Sequence, residues 1–318
     1  MRARQATLHQ LRIFDAVARH LSFARAAEEL HLTPPAVSIQ VKQLGETMGQ
    51  PLTEQIGKKI FLTAAGRILA DAARDLLLRL DRLGEDLAAL QGLEHGHVRL
   101  AILGTAKYFL PRLLGEFCTE HRGIEASLFV GNREAVLERL VRNEDDIYIL
   151  GQPPESIDVV AEPFADNPLI LVARPDHPLA AQTNIDPEVL NHVPFILREE
   201  GSGTRLVTQR FFAHHHIQPP IRMELGIDEA IKQAVAGGLG VAVLSAIALR
   251  TELAARELVA LDVRGFPLAR KWYAVYAQNK VLSPSARAFY QYLFAAAPQL
   301  LEEQIKAYPA HGGTDLGN

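Results

Sequence analysis

A chain of 318 residues with 48% hydrophobic and 22% charged side chains carries enough apolar material for two or three domains, which excludes one small core and pervasive disorder. A formal net charge of −4 excludes a chain basic all over, and a single cysteine, Cys118, excludes an internal disulfide framework or a cysteine-rich metal site. No apolar run reaches the roughly 18 residues of a membrane span; the nearest, 234–249, is broken by three glycines and a serine.

The charge is unevenly placed. Residues 1–64 hold eight Lys/Arg against five Asp/Glu, and the remainder 25 against 32, so a basic head sits on an acidic body. In the head, Leu8, Leu11, Phe14 and Ala18 recur in helical phase and predict a first helix over 8–19. Residues 22–44 read as two short helices joined by a tight turn. Ala26 and Ala27 permit a close crossing, and Leu30 and Leu32 fill the space between. Thr33 is an N-cap and Pro34 suits the first helical position, where no backbone donor is needed. Val37, Val41 and Leu44 face inward, leaving Pro35, Ser38, Ile39 and Lys42 as a slim exposed stripe suited to the major groove. Taken alone, this segment would also fit an αα-hairpin in a helical core. Gly49-Gln-Pro51 ends the second helix, and 52–55 and 59–63 predict a two-stranded wing with Lys58 and Lys59 at its tip, the alternative being a plain surface hairpin.

From the N-cap Thr63 a long helix is predicted to about Leu90. Leu69, Ala73, Leu76, Leu80, Leu83, Leu87 and Leu90 follow a strict heptad spacing that needs a partner helix. Its own body could cover it, but a preceding DNA module favours a second chain, which would set two recognition helices at fixed separation. The helix ends at Gly92, and Glu94-His-Gly96 reads as a hinge.

Beyond the hinge the pattern alternates. Strands are expected over 98–103, 125–130, 146–150, 159–164, 169–174, 195–197, 221–225, 240–244 and 271–276, and helices over 109–121, 133–142, 204–214, 228–236 and 285–296. The alternation implies mostly parallel sheets covered by helices, and crossings near Asp166 and Phe266 would divide the body into two α/β lobes with a cleft between. The tail after Tyr308 reads as disordered.

Ligands of open α/β sheets lie outside the carboxyl ends of strands. Gly104-Thr105-Ala106-Lys107 offers backbone donors, a hydroxyl and a cation there. Gly201-Ser202-Gly203-Thr204-Arg205 opens a helix with amides, hydroxyls and a guanidinium able to bind bidentately. Asn132 and Arg133 sit at a third strand end and Gln152 beyond a fourth. Helix capping would explain either loop; together they point to a small anionic ligand such as a phosphorylated metabolite. Residues 237–240 follow a helix and precede a strand, the reverse of a dinucleotide fingerprint, and read as a turn. His214, His215 and His216 diverge on a helix, which argues against metal binding, and Cys118 reads as core. No activated nucleophile or acid–base pair is recognisable. The first seven residues lack the apolar core of an export signal, so a cytoplasmic location is expected.

With these residues assembled, the chain resembles the LysR-type transcriptional regulators over nearly its whole length. The likeness is carried by Ser22-Phe-x-x-Ala-Ala-x-x-Leu30, Leu32-Thr-Pro-Pro-Ala-Val-Ser38, Lys59-Ile-Phe-Leu-Thr-Ala-Ala-Gly66, the leucine-rich helix and the two-lobed body. Within that family it is most similar to the CbbR regulators of Calvin-cycle (RuBisCO) operons, through Glu54-Gln-Ile-Gly-Lys-Lys59, Gly104-Thr-Ala-Lys-Tyr-Phe-Leu-Pro111, Gly201-Ser-Gly-Thr-Arg205 and Ala230-Ile-Lys-Gln-Ala-Val-Ala-Gly-Gly-Leu-Gly240. Four positions depart from the family pattern: Thr53 stands where Phe is usual, Gly45 for Glu, Gln152 for Arg and Pro34 for Gln.

The resemblance implies an α/β chain with an all-α winged helix-turn-helix N-terminal domain (1–64), a linker and dimerisation helix (65–91), and two periplasmic-binding-protein-like lobes (92–165 with 268–307, and 166–267) before a disordered tail (308–318). It implies a regulator, not an enzyme, with operator DNA as partner and self-association as a dimer or homotetramer. RNA polymerase counts as a further candidate partner. No metal or resident cofactor is expected, but an anionic effector is: a sugar bisphosphate, a phosphoglycolate-type compound or NADPH. Ser22 and Thr33 would anchor phosphates through capped helix starts, Pro35, Ser38 and Ile39 would meet base edges and thymine methyls, and Lys42, Lys58 and Lys59 would supply phosphate charge; Pro34 belongs to the same DNA-facing set, but base readout does not transfer to it from the usual Gln. A small-molecule receptor or a sugar-phosphate enzyme without DNA binding is the alternative.

Overall fold

The structure, a computed structural model, describes residues 5–57, 59–90 and 95–305. Lys58, Glu94 of the expected hinge and the 308–318 tail lie outside the described residues. The chain divides into two compact units, Met1–Gln91 and Gly92–Asn318.

Local capping chemistry sets the first unit. Helix α1 (Leu8–His20) starts where Thr7 and Gln10 cap each other, both bonds at 3.2 Å. It buries Leu11, Ile13, Phe14, Ala16 and Val17, whereas Leu8, expected on that stripe, is exposed in the opening turn, ahead of the crossing. Ser22 caps α2 (Phe23–Glu29) through the Arg25 amide at 3.3 Å, and Thr33 caps α3 (Pro34–Met48) through the Ala36 amide at 3.4 Å. Gly49, in the left-handed region at φ 75°, stops α3. Ala26 and Ala27 are buried against Phe14, Val37, Val41 and Leu44, so methyl-sized side chains let the helices cross tightly. Strands β1 (Thr53–Ile56) and β2 (Lys59–Leu62) form the antiparallel wing. Thr63 then opens α4 (Ala64–Leu90), accepting from the Gly66 amide at 3.0 Å and donating to the Pro51 carbonyl at 2.7 Å. Its first turns bury Ala70 and Ala73 in the same core.

The second unit contains β3 (Gly96–Leu103), a 3-10 turn (Gly104–Tyr108), α5 (Leu110–Glu120), β4 (Ile124–Gly131), α6 (Arg133–Val141), β5 (Ile147–Leu150) and β6 (Val159–Asp166). There the chain leaves the first lobe for β7 (Leu169–Ala173), β8 (Phe195–Arg198), α7 (Gly203–His214), β9 (Ile221–Leu225), α8 (Asp228–Ala236), β10 (Ala242–Ser245), the short α9 (Arg250–Ala254) and β11 (Val259–Ala260). It returns through β12 (Lys271–Ala277) and ends in α10 (Pro284–Ile305).

The expectation of mostly parallel sheets is corrected: the sheets are mixed. The first-lobe sheet runs β4-β3-β5-β12-β6, parallel across β4-β3-β5 but antiparallel where β12 meets β5 and β6. In the second lobe β7 pairs antiparallel with β10 and β11, while β8 and β9 are parallel. The reason is topological. The exit and return segments lie side by side, so they must run in opposite directions. Asn167 N donates to Arg270 O at 2.7 Å, and Leu169 and Leu268 exchange bonds of 3.0 and 2.8 Å. Buried Ser245 fixes the exit by donating to Asn167 Oδ1 at 2.6 Å.

Helix α10 outruns its expected end at 296 and passes Pro298. Losing a helical bond to an interior proline costs about 3 kcal/mol, and the stripe Phe289, Leu293, Ala297 and Leu301, all buried in the first-lobe core with Trp272 and Phe117, offsets it. Cys118 packs beside that core, and burial pushes its thiol up. Among the described residues no His/Cys/Asp/Glu group could hold a metal ion, and no helix is long and apolar enough to cross a membrane.

Candidate nucleic-acid face and ligand cleft

The capped start of α3 turns Pro34, Pro35, Ser38, Ile39 and Lys42 outward while Val37, Val41 and Leu44 are buried. Ile39 is 54% exposed, an unusual position for an isoleucine unless something covers it. Lys42 and Lys59 are exposed and have no hydrogen bond or ion pair among the described residues. Elsewhere in this unit charge is spent internally: Glu29 takes the Arg19 guanidinium at 2.6 and 3.0 Å and His20 at 2.6 Å, and the Arg19 bonds hold its carboxyl down at about 2. A groove of about 500 Å³ separates α3 from the wing, lined by Ser38, Lys42, Gly45, Thr53 and Ile60. A Cβ on Gly45 would stand 3.0 Å from the Gln50 carbonyl, so the glycine lets the following turn fold back against the helix. Further along, Leu76, Leu80, Leu83 and Leu87 of α4 are 40–53% exposed, an uncovered apolar seam.

In the second unit the strand ends of both lobes converge. Arg270, on the return crossing, lies part-buried between them. Its Nε donates to Gly151 O at 3.3 Å in the first lobe, and its Nη1 donates to Thr204 Oγ1 at 3.0 Å in the second. A Cβ on Gly151 would sit 1.9 Å from Arg270 Nη2, so only glycine admits the guanidinium there. Burial, reinforced by the charges of Arg133 and Arg198, pulls Arg270 down to about 10, and Asp228 alone pulls the other way. Arg198, the last residue of β8, donates to Asp228 Oδ1 at 2.6 Å and to Glu199 at 2.7 and 2.9 Å. Arg133 donates to Gln152 O at 2.8 Å, and burial lowers its pKa as well. Thr105 Oγ1 donates to Asp228 Oδ2 at 3.3 Å. Ser202 is buried and makes no side-chain capping bond. Gly201, at φ +81°, turns the loop into α7, and Gly203 passes close to Arg270. Arg133 and Arg270, withdrawn from water with only carbonyl and hydroxyl hydrogen-bond partners, form a site that a small anion would stabilise.

Several expected ligand residues have partners within the fold. Arg205 binds the Glu224 carboxylate on β9 and the Arg198 carbonyl, so its guanidinium is already engaged. Lys107 pairs with Glu229 at 2.8 Å beneath the Tyr108 ring, and Tyr108 OH donates to the same carboxylate at 2.8 Å. Burial would raise Glu229, but these bonds hold it at about 2. The Ala106 methyl is buried in the first-lobe core. Asn132 Oδ1 is taken up in capping α6 through the Ala135 amide at 2.9 Å. The structure brings Thr105, Arg133, the Gln152 carbonyl, Gly203 and Thr204 together and adds Arg198, Asp228 and Arg270, which sequence reasoning missed. A groove of about 810 Å³ beside them is lined by Asn132, Arg133, Leu137, Ile157, Glu199 and Gly201.

Comparison with known proteins matches residues 8–67 to the bacterial regulatory helix-turn-helix proteins of the lysR family and residues 91–298 to the LysR substrate binding domain. The chain is 63% identical over 297 residues to the RuBisCO operon transcriptional regulator of Acidithiobacillus ferrooxidans, covering 93% of this chain and 96% of that one. The regulatory domain of CcmR from Synechocystis PCC6803, solved in complex with 2-PG, is 51% identical, with a TM-score of 0.62 over 63% of this chain and 97% of that one. Full-length CbnR, solved with its target DNA, shares the fold at 23% identity, with a TM-score of 0.62 over 90% of this chain and 98% of that one.

Proposed function

The chain belongs to the LysR family of bacterial transcriptional regulators, and from that premise we propose that it controls a carbon-fixation (RuBisCO) operon in the cytoplasm in response to a phosphorylated metabolite. Residues 1–64 bind the operator, with Ser22 and Thr33 at phosphates, Pro35, Ser38 and Ile39 against base edges beside Pro34, and Lys42, Lys58 and Lys59 as phosphate charge. Residues 65–91 pair two chains through the leucine seam, as a dimer or a dimer of dimers. Residues 92–165 with 268–307 and residues 166–267 are the two lobes around the effector. RNA polymerase is the further partner such an activator would meet.

The observation that carries the effector reading is the convergence of Arg133, Arg198 and Arg270 at the strand ends, with the Thr105 and Thr204 hydroxyls among them. That set suits a phosphate better than a neutral sugar, because buried guanidiniums need charge to replace lost water. The binding of 2-PG by the CcmR regulatory domain, 51% identical, supports a phosphoglycolate-type ligand over sugar bisphosphates or NADPH.

The test is a footprint on the promoter of a RuBisCO operon, with and without 2-phosphoglycolate, ribulose bisphosphate and NADPH. The expected result is protection of a palindromic site in every condition and a changed boundary with 2-phosphoglycolate. No protection on that promoter would overturn the pathway, and an unchanged boundary with every ligand would overturn the effector assignment.

A further inference from the structure

Asp228 is 5% exposed at the start of α8, held by Arg198 from the second lobe at 2.6 Å and by the Thr105 hydroxyl from the first at 3.3 Å. An acidic residue in a first helical turn ordinarily faces water and answers the helix dipole. This one is turned inward to the ligand cleft instead, and Glu229 beside it already spans to Lys107 and Tyr108.

Resting on the effector reading above, we propose that Asp228 is a built-in competitor for the cleft, which an anionic ligand must displace from Arg198 and Thr105, so that it sets a common threshold that a ligand with more than one carboxylate charge overcomes. The argument is one of exchange. Asp228 is covalently present at high effective concentration, so a ligand offering one carboxylate charge trades like for like and gains little. A phosphate dianion brings a second charge. That charge meets Arg270, whose hydrogen bonds among the described residues go only to the neutral Gly151 carbonyl and Thr204 hydroxyl. Arg270 is depressed to about 10 by burial and by its cationic neighbours, which marks it as the guanidinium with most to gain. Asp228 also touches both lobes, so its displacement alters how they are joined while the Glu229 ties persist.

The experiment is calorimetric titration of the full chain at pH 8 with 2-phosphoglycolate, inorganic phosphate and glycolate, for wild type, Asp228→Asn, Thr105→Val and Arg270→Gln, with melting followed in parallel. Wild type should prefer 2-phosphoglycolate to glycolate by at least about a hundredfold. In Asp228→Asn all three ligands should bind about tenfold tighter, with the ratio between them kept. Its melting temperature should fall without anions and recover with phosphate, which a merely structural aspartate would not do. Thr105→Val, which keeps the charge but removes one of its holds, should tighten them two- to threefold; it carries the test should Asp228→Asn not fold. Affinities within twofold of wild type in both variants, or a loss in Asp228→Asn that phosphate does not restore, overturns the proposal. Arg270→Gln separates the two readings. If it binds 2-phosphoglycolate as wild type does, the cleft is not the anion site and both fall. If it loses binding while Asp228→Asn binds no tighter than wild type, only the competitor role falls.

Discussion

The two units carry positive charge in opposite ways. On α3 and the wing, Lys42 and Lys59 stand in solvent without partners among the described residues, beside an exposed Ile39. In the cleft, Arg133, Arg198 and Arg270 are withdrawn from water, and each is held by carbonyls, hydroxyls or a carboxylate. Exposed ammonium groups suit a polyanion that docks from outside and releases counterions, with strong dependence on salt. Partly desolvated guanidiniums suit a small anion that must fit, with far less dependence on salt.

That contrast can be tested by perturbing one side at a time. The largest effect is expected from Leu80→Asp with Leu83→Asp on the exposed seam. The pair should give monomers by analytical ultracentrifugation and weaken operator binding by about a hundredfold or more, through lost avidity. Binding of 2-phosphoglycolate per chain should stay within twofold, and a parallel loss would mean the cleft, too, needs a second chain. A smaller effect is expected from Lys42→Ala with Lys59→Ala: weaker binding of operator and random DNA alike, and a slope of log affinity against log salt reduced by about 2. A loss confined to the operator would make these lysines base readers. The smallest effect concerns Glu29, whose carboxyl is held at about 2 against an ordinary 4.5. A depressed acid stabilises the fold above its ordinary value and ceases to as pH falls through the folded one. Glu29→Gln should therefore lower the urea midpoint at pH 7, and the difference should fade between pH 4.5 and about 2. At 37% side-chain exposure the pair is worth about 1 kcal/mol or less.

Local chemistry was legible in the sequence. Thr33 with Pro34, Thr63 and Gly49 act within a few residues, and each marked a helix end the structure keeps, while the paired alanines marked a close helix crossing. Sheet direction was not, because β12 lies beyond a whole lobe from the β5 and β6 strands it joins. Arg270 carries no motif: it meets Thr204 across 66 residues and Gly151 across 119. Its only trace in the sequence is the small residues it needs, Gly151 and Gly203, themselves ordinary turn formers. Asp228 was hidden for another reason, since an aspartate opening a helix already has a sufficient local explanation. Arg205 shows the converse: the loop motif was visible, but the Glu224 that engages its guanidinium stands on another strand.

A phosphorylated anion held by Arg270 is proposed to alter how residues 1–64 meet DNA. Footprinting wild type and Arg270→Gln on one operator, with and without saturating 2-phosphoglycolate, should give identical ligand-free footprints and a ligand-dependent boundary shift in wild type alone. An equal shift in both proteins would exclude that role for Arg270.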